Sequence, residues 1–378
     1  MTRQIVSRSL IALAIAAPAT LAAQQPAQTS TTTTVSMPIE FSGLLFPQFI
    51  YGGPKGNGTR SANQFQLERA YLTAKAKIAD RTSIRLTSDI FRPGAGAGYT
   101  MRAKYAFVQY DYWMNNQGFM GTNAQARLGM QQTVIIEQDE SFWPRYIAKT
   151  AVERAGFFSA SDLGLSTTIG NKRGEVFAMV SNGPGYAQPE VDRFKDWQFR
   201  LTVNPIGNVM ATGGGLLISP WYYKGTVQSG LRPAEGRKHD RYGVLAGWKS
   251  PVFTLGGQVA KSTNENEALN AGNVVTTDRS TSLVTVYTVL KPLAMMSATG
   301  SKAWGVVLRY DKLSGDNGYV PNAGDFAPLD GHFLVAGLTR DVNSRLSLAL
   351  DYQQGSPEGV AAPNLDTRTY NLHASVAF

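Results

Sequence analysis

Residues 131–162 read QQTVIIEQDESFWPRYIAKTAVERAGFFSASD, and they interrupt the pattern that the rest of the chain follows. On both sides of this stretch, short runs carry an apolar residue at every second position, which is the period of a half-buried β-strand. Within the stretch the alternation stops, and acidic residues gather at Glu137, Asp139 and Glu140. A long irregular insert among regular strands is usually functional. We therefore expect a constriction or plug that folds inside a barrel.

The alternating runs around the insert predict about sixteen strands within residues 39–378. The last of them, residues 367–378, places Leu372 and Val376 on one face and His373 on the other. A strand that crosses lipid needs partners for all its backbone polar groups, and a closed barrel supplies them. The sequence therefore predicts an all-β fold, a transmembrane antiparallel β-barrel with residues 131–162 folded into its lumen.

Short turns alternate with longer connections along the chain, as they do in outer-membrane barrels. The predicted longer loops are residues 182–195, 224–240, 263–279, 314–330 and 354–366. Aromatic residues near strand ends are expected to form the girdles of such a barrel. These are Trp113, Trp197, Trp221, Trp248, Trp304, Tyr310 and Tyr352.

The composition excludes several classes of site. The 378 residues include no cysteine, which removes disulfides, thiolate chemistry and cysteine-bound zinc together. The formal net charge is +9, and a basic balance suggests anionic solutes, anionic lipid or nucleic acid as partners. The basic residues are dispersed along the strands and no recognition fold appears, so we do not expect nucleic-acid binding.

The N-terminus has the organisation of a secretory signal peptide. Arg3 and Arg8 precede a short apolar run at residues 10–17, and small residues follow up to Ala23. The run is too short for a transmembrane helix. We predict a signal peptide at residues 1–23, a flexible polar leader at 24–38 and the barrel at 39–378.

Several motifs resemble the phosphate-selective porin O and P family of Gram-negative outer membranes. They are FQLERA at 65–70, IRLTSDIF at 84–91, ARLGM at 126–130, VERAG at 152–156 and SASDLG at 159–164. The resemblance implies a sixteen-stranded, homotrimeric barrel in the outer membrane, in contact with its lipid and lipopolysaccharide. It also implies that residues 131–162 are the loop folded into the pore, and that the terminal Phe378 is read by the barrel-assembly machinery.

Basic residues crowd the polar strand faces, so the predicted pore prefers small anions, phosphate among them. The insert itself is net acidic, because its acids outnumber Arg145, Lys149 and Arg154. Within the insert, Arg145 and Lys149 have the spacing that places two side chains on one face of a helical turn. Salt bridges across the lumen are the alternative use of these charges. The candidate pore-lining residues are Arg69, Lys75, Arg85, Lys104, Arg127, Arg145, Lys149, Arg154, Arg200 and Arg309.

Enzymatic function is not predicted, and no cofactor is expected. The chain has three histidines, at positions 239, 332 and 373, and none belongs to a catalytic motif. The predicted function is an outer-membrane porin, a water-filled channel for passive diffusion of small solutes. Two alternatives stay open at this point: an outer-membrane barrel hydrolase, and a non-conducting structural or adhesive barrel.

Overall fold

The computed structural model describes residues 38–54, 62–94, 97–115, 121–190, 192–295, 303–315, 330–358 and 366–378. Its strands form one antiparallel sheet that closes on itself, because the last strand pairs with the first. The predicted barrel is thereby confirmed. The predicted signal peptide lies outside the described residues, and so does the leader except for Pro38.

Seventeen described strand segments build the wall. They are β1 (Ile39–Pro54), β2 (Ala62–Ala79), β3 (Thr82–Phe91), β4 (Thr100–Met114), β5 (Asn123–Gln132), β6 (Ser161–Asn171), β7 (Gly174–Ser181), β8 (Asp196–Asn208), β9 (Gly214–Lys224), β10 (Thr226–Gln228), β11 (Gly236–Lys249), β12 (Phe253–Asn270), β13 (Asn273–Leu290), β14 (Trp304–Ser314), β15 (Gly331–Asp341), β16 (Leu346–Pro357) and β17 (Thr367–Ala377). β9 and β10 both pair with β11 and are separated by Gly225 alone, so they form one of sixteen wall strands.

The helices are short: α1 (Ile136–Phe142), α2 (Ala151–Arg154), α3 (Val209–Thr212) and α4 (Pro292–Met295). Among the described residues, no helix combines the length and the apolar character that a membrane-spanning helix needs.

The two ends of the barrel differ. At the end that holds Phe378 and the start of β1, hereafter the terminal end, turns are as short as residues 80–81 and 172–173. The opposite end, hereafter the loop end, carries the longer connections. Residues 263–279 were predicted as one of these, which is wrong: they extend β12 and β13 to a two-residue turn at Ala271 and Gly272. The sequence there is polar on both faces, so strand alternation could not reveal it.

The outer face of the wall is apolar, as the alternation predicts. On β8 the side chains of Trp197, Phe199 and Leu201 are exposed on that face, whereas those of Gln198 and Arg200 are buried inside the barrel. An apolar belt on the outside of a closed barrel is the surface that a bilayer requires.

The inner face is less uniform than predicted. Leu217, Leu245, Leu283 and Val307 alternate with the outward residues of their strands and are at most 1% exposed, so half of the lumen wall is apolar as well. Trp221 was expected in an aromatic girdle, but it faces inward and is 4% exposed. Both faces of β9 carry apolar residues. An alternation of apolar and polar residues is therefore absent, and the sequence does not show which side chains point inward.

The ends of the wall meet at Gly43 and Phe378. The Gly43 amide donates to the Phe378 carbonyl at 2.8 Å, and the Phe378 amide donates back at 3.1 Å. The Phe378 ring covers Gly43 so closely that a Cβ added there would lie 2.2 Å from Cζ of the ring. A side chain at position 43 would therefore displace the Phe378 ring from this point of closure.

We expect Gly43→Val to lower the free energy of unfolding by about 1–3 kcal/mol, because the new side chain displaces the Phe378 ring. The cost should fall by more than half in a Phe378→Ala background, where the clash is absent. Denaturant unfolding in detergent, followed by tryptophan fluorescence, measures both. Gly214→Val is the matched control, since a Cβ there meets only the Lys249 carbonyl at 3.6 Å. If Gly43→Val lowers the free energy of unfolding equally with and without Phe378→Ala, displacement of the Phe378 ring is not the cause.

Candidate functional site

The stretch that breaks the alternation folds as an inner segment, residues 133–160, that connects β5 to β6 inside the barrel. It contains α1 and α2, and α2 begins with a capping box between Thr150 and Glu153. The expected helical turn that presents Arg145 and Lys149 together is wrong. α1 ends at Phe142, and the backbone of the next residue, Trp143, is extended because a residue before proline, here Pro144, avoids the helical region.

An apolar cluster joins the inner segment to one half of the barrel wall. The segment contributes Ile135, Trp143 and Val152, each at most 1% exposed. The wall contributes inward residues of β7, β9 and β11–β16, and the Trp143 ring lies 5.5 Å from that of Tyr287. Each large side chain buried in this way stabilises the arrangement by roughly 1.5–3 kcal/mol. The segment is therefore packed mainly against β7–β16, and its contact with the opposite wall includes the ring of Tyr146, 6.3 Å from that of Phe46 on β1.

A buried ion-pair network fixes the same segment to β14. Arg309 pairs with Asp311 through two hydrogen bonds of 2.8 and 2.7 Å. Its remaining nitrogen donates to the Lys149 carbonyl at 2.6 Å. Arg154 of the segment lies 3.3 Å from the same Asp311 carboxylate. Because paired, hydrogen-bonded charges are the ones that tolerate burial, this network holds the backbone of Lys149 in place.

Two of the four acids of the inner segment share one arginine of the same segment. Arg145 lies 3.3 Å from Glu140 and 3.3 Å from Glu153. Burial opposes the ionisation of Glu153, but Arg145 and Lys104 outweigh that effect and keep its pKa below the ordinary value. Arg145 thus offsets one of the two charges of Glu140 and Glu153, and Lys104 of the facing wall acts on Glu153 as a second cation.

The ten basic residues proposed for the pore divide into two groups. Five have a carboxylate partner within ion-pair distance: Arg69, Arg145, Arg154, Arg200 and Arg309. Five have no ion pair with a carboxylate of the described residues: Lys75, Arg85, Lys104, Arg127 and Lys149. The second group, hereafter the basic strip, lies on the inward faces of β2–β5 and on the facing inner segment. This is the half of the lumen that the segment leaves uncovered.

Neutral contacts orient the basic strip. Arg127 donates to Gln109 at 3.0 Å, and Lys104 donates to the Tyr71 hydroxyl at 3.2 Å. The Arg85 guanidinium lies 4.5 Å from the ring centre of Tyr105. A β-bulge in β4 leaves Lys104 without a paired residue on β3. Because of this extra residue, the side chains of Lys104 and Tyr105 both point inward. The sequence alternation alone could not locate this bulge.

Three cavities follow the uncovered half of the lumen. One of 440 Å³ at the loop end is lined by residues that include Arg69, Arg92 and Lys149. A recess of 120 Å³ lies between α1 and β5–β8, and Arg127 and Glu137 are among the residues that line it. The third, of 730 Å³, lies at the terminal end and shares wall residues with the recess. The shared residues place the recess and the terminal-end cavity on one route, whereas the loop-end cavity shares no lining residue with either.

The alternation of the sequence did not identify several residues that face the lumen or its loop-end mouth. Glu137 was noted only as one acid of a cluster, yet it is exposed to the lumen and forms no ion pair with a described residue. Arg92 and Tyr186 lie in connections, where alternation gives no direction. Tyr186 crosses to the opposite wall, where its hydroxyl accepts from Arg102 at 2.8 Å.

The histidines do not assemble a catalytic group. His373 lies 2.8 Å from Asp351 inside the barrel, and His332 lies 3.3 Å from Glu358 at the loop end. Within the described part of the chain, no three His, Asp or Glu side chains are grouped as a metal site would require.

Comparison with solved structures supports the fold. The chain is similar to the outer-membrane channel DcaP of Acinetobacter baumannii, with a TM-score of 0.63 and 11% identity over 92% of this chain and 99% of that one. It is also similar to Pseudomonas putida OprB (TM-score 0.59, 11% identity, 90% and 94% coverage). The trimer form of the outer-membrane protein OmpT of Vibrio cholerae gives 0.51 and 12%, over 90% and 99%.

No family model matches the chain, and no curated protein matches it significantly. The resemblance to the phosphate-selective porin O and P family is therefore not confirmed. At these identities the structural likeness establishes the barrel fold alone.

One acid of the inner segment is buried without a cation. The Tyr287 hydroxyl donates to Asp139 at 2.8 Å, and the Asp139 carboxyl is fully buried. Burial raises the pKa of Asp139 from 3.8 to about 7, although Tyr287 and Arg309 act in the opposite direction. The folded protein thus keeps a proton that the unfolded chain releases. The proton bound to Asp139 stabilises the fold fully below about pH 4, and this stabilisation is lost as the pH rises toward 7.

We expect Asp139→Asn to flatten the dependence of stability on pH between 4 and 7, and to unfold at a higher temperature than the natural protein at pH 8. The difference should reach a few kcal/mol, since one pKa unit corresponds to about 1.4 kcal/mol. Thermal unfolding in detergent at several pH values measures it. Asp80→Asn, in the exposed turn between β2 and β3, is the control and should keep the natural profile. An unchanged slope in Asp139→Asn would show that this carboxyl is ionised in the fold.

Proposed function

We propose that the protein is an outer-membrane porin, a water-filled channel for passive diffusion of small solutes that prefers anions. The observation that carries the proposal is the basic strip, five cations without carboxylate partners along the open half of the lumen. The barrel fold and its apolar outer belt support a membrane location. The cavities along the strip support a route through the barrel.

The charge distribution favours anions for a physical reason. A narrow aqueous lumen between low-dielectric walls concentrates the field of its charges and raises the local concentration of counter-ions. The inner segment is acidic by composition, but Arg145 offsets one of the two charges of Glu140 and Glu153. Burial, followed by the nearby cations Arg69 and Arg145, lowers the pKa of Lys149, which supports a positive potential at the loop-end mouth.

The strip also suggests which anions are preferred. Arg85 and Arg127 present planar guanidinium groups, which match the oxygens of phosphate or carboxylate in pairs. Phosphate and other small oxyanions are therefore the proposed solutes, in agreement with the resemblance of motifs such as ARLGM at 126–130.

Several further assignments belong to the same proposal. Residues 1–23 would direct secretion through the inner membrane of a Gram-negative bacterium, and Phe378 would be recognised by the barrel-assembly machinery. The outer belt would contact lipid and lipopolysaccharide.

The trimer form among the similar structures supports a homotrimer. Chemical cross-linking in mild detergent should then yield a species of three chains. A single-chain species under the same conditions would contradict the trimer without affecting the channel.

Neutralising the strip should weaken anion preference. In planar bilayers under a salt gradient, we expect the triple variant Lys75→Gln/Arg85→Gln/Arg127→Gln to lower the anion-to-cation permeability ratio about threefold or more, because the counter-ion excess in the lumen is lost. Phosphate added to one side should reduce the chloride current of the natural protein, and should do so less in the variant.

The matched control removes three charges from the outer face, in Lys224→Gln/Lys261→Gln/Arg340→Gln. It should keep the natural reversal potential. A conducting channel without anion preference would overturn the role of the strip. A folded barrel without conductance would overturn the porin and favour a hydrolytic or a structural barrel.

A further inference from the structure

The recess beside the constriction holds charges of both signs. Arg127 extends into it from β5, and Glu137 extends into it from α1 on the facing inner segment. Neither forms an ion pair with a described residue, although both line the same recess of 120 Å³. Charges that face each other without contact leave room for a solute that bridges them.

The recess also has acceptors without donors. The Gln138 side chain is 1% exposed, and its amide nitrogen donates to Glu175 at 3.1 Å, so its oxygen is free to accept. That oxygen and the oxygen of Gln132 are buried without hydrogen-bond partners in the protein. Both side chains line the recess next to Glu137. Both oxygens are closed off from solvent, whereas the Glu137 side chain is exposed, so Glu137 is the acceptor that the recess presents to an ammonium group.

The opposite side of the recess offers donors to an anionic group. Arg127 uses its Nε to bind Gln109 and keeps its terminal nitrogens free of carboxylates. Arg200 also lines the recess, but its guanidinium is already engaged by Glu175 and by the Val134 carbonyl. Arg127 is therefore the group that would bind a carboxylate bidentately.

We propose that this recess binds small zwitterions of the α-amino acid class, with the solute carboxylate on Arg127 and its ammonium on Glu137. The volume equals that of about four liquid waters, which suits a solute such as glycine, alanine or serine. The recess shares Gln125, Thr168 and Glu175 with the large cavity at the terminal end, so a bound solute lies on the route through the barrel. The inference rests on the proposed porin function and names a second class of solute for it.

Alanine and lactamide provide the test, because they are nearly the same size and both carry no net charge. Lactamide has a hydroxyl and an amide where alanine has an ammonium and a carboxylate. In liposomes that contain the protein, alanine should cause swelling about threefold faster or more than lactamide, since binding on the route raises its local concentration. Glu137→Gln should bring the ratio close to one without a change in side-chain size. Glu235→Gln, on the exposed connection at the loop end, should keep the natural ratio.

Reversal potentials of the same preparations separate the two hypotheses. Glu137→Gln should conduct and should prefer anions more strongly than the natural protein, which shows that it is folded and open. If the natural protein conducts and prefers anions but alanine enters no faster than lactamide, only the zwitterion site is overturned. The same conclusion follows if Glu137→Gln leaves the ratio unchanged. If the protein does not conduct, the porin function itself is overturned.

Discussion

The packing of the inner segment against one half of the barrel wall is the constraint on which the site depends. A sixteen-stranded barrel encloses more space than its own side chains fill, so whatever occupies the lumen decides whether it is open. Here Trp143, Ile135 and Val152 pack on apolar side chains that point inward from β7–β16. Most of the segment's apolar contacts lie in that half, with a further contact between Tyr146 and Phe46 of β1, and the wall cations of the strip lie on β2–β5.

This asymmetry also separates the charges. Buried carboxylates need partners, and Asp311 and Glu153 find them in arginines of β14 and of the inner segment. Pairing in the packed half therefore removes acids from the open half. The cations of β2–β5 are left with neutral partners such as Gln109 and Tyr71, which orient them without cancelling their charge. Glu137 and Asp111 are exceptions, since neither has an ion pair with a described residue and they line the recess and the terminal-end cavity.

The structure separates the basic residues that can contact a solute from those that hold the inner segment in place. Arg309 and Arg145 appeared equivalent to Arg127 as basic residues of strands or insert. In the structure Arg309 holds the Lys149 carbonyl and Arg145 holds two glutamates, so both position the segment. Arg127 keeps a guanidinium available to the lumen. The difference lies in the partners that each side chain contacts. For Arg309 one such partner is the Lys149 carbonyl, which is 160 residues away in the sequence.

The sequence by itself determined the class of fold, the outward face of strands such as β8 and the position of the insert. These follow from the period of two and from its interruption, which are local properties of the chain. Tertiary structure alone decided three further features: the inward direction of Trp221, the bulge at Lys104 and the division between paired and unpaired cations. Where both faces of a strand are apolar, or an extra residue shifts the register, alternation no longer fixes direction. Whether a charge is paired depends on which strands the closed barrel brings together, and that closure is a property of the whole chain.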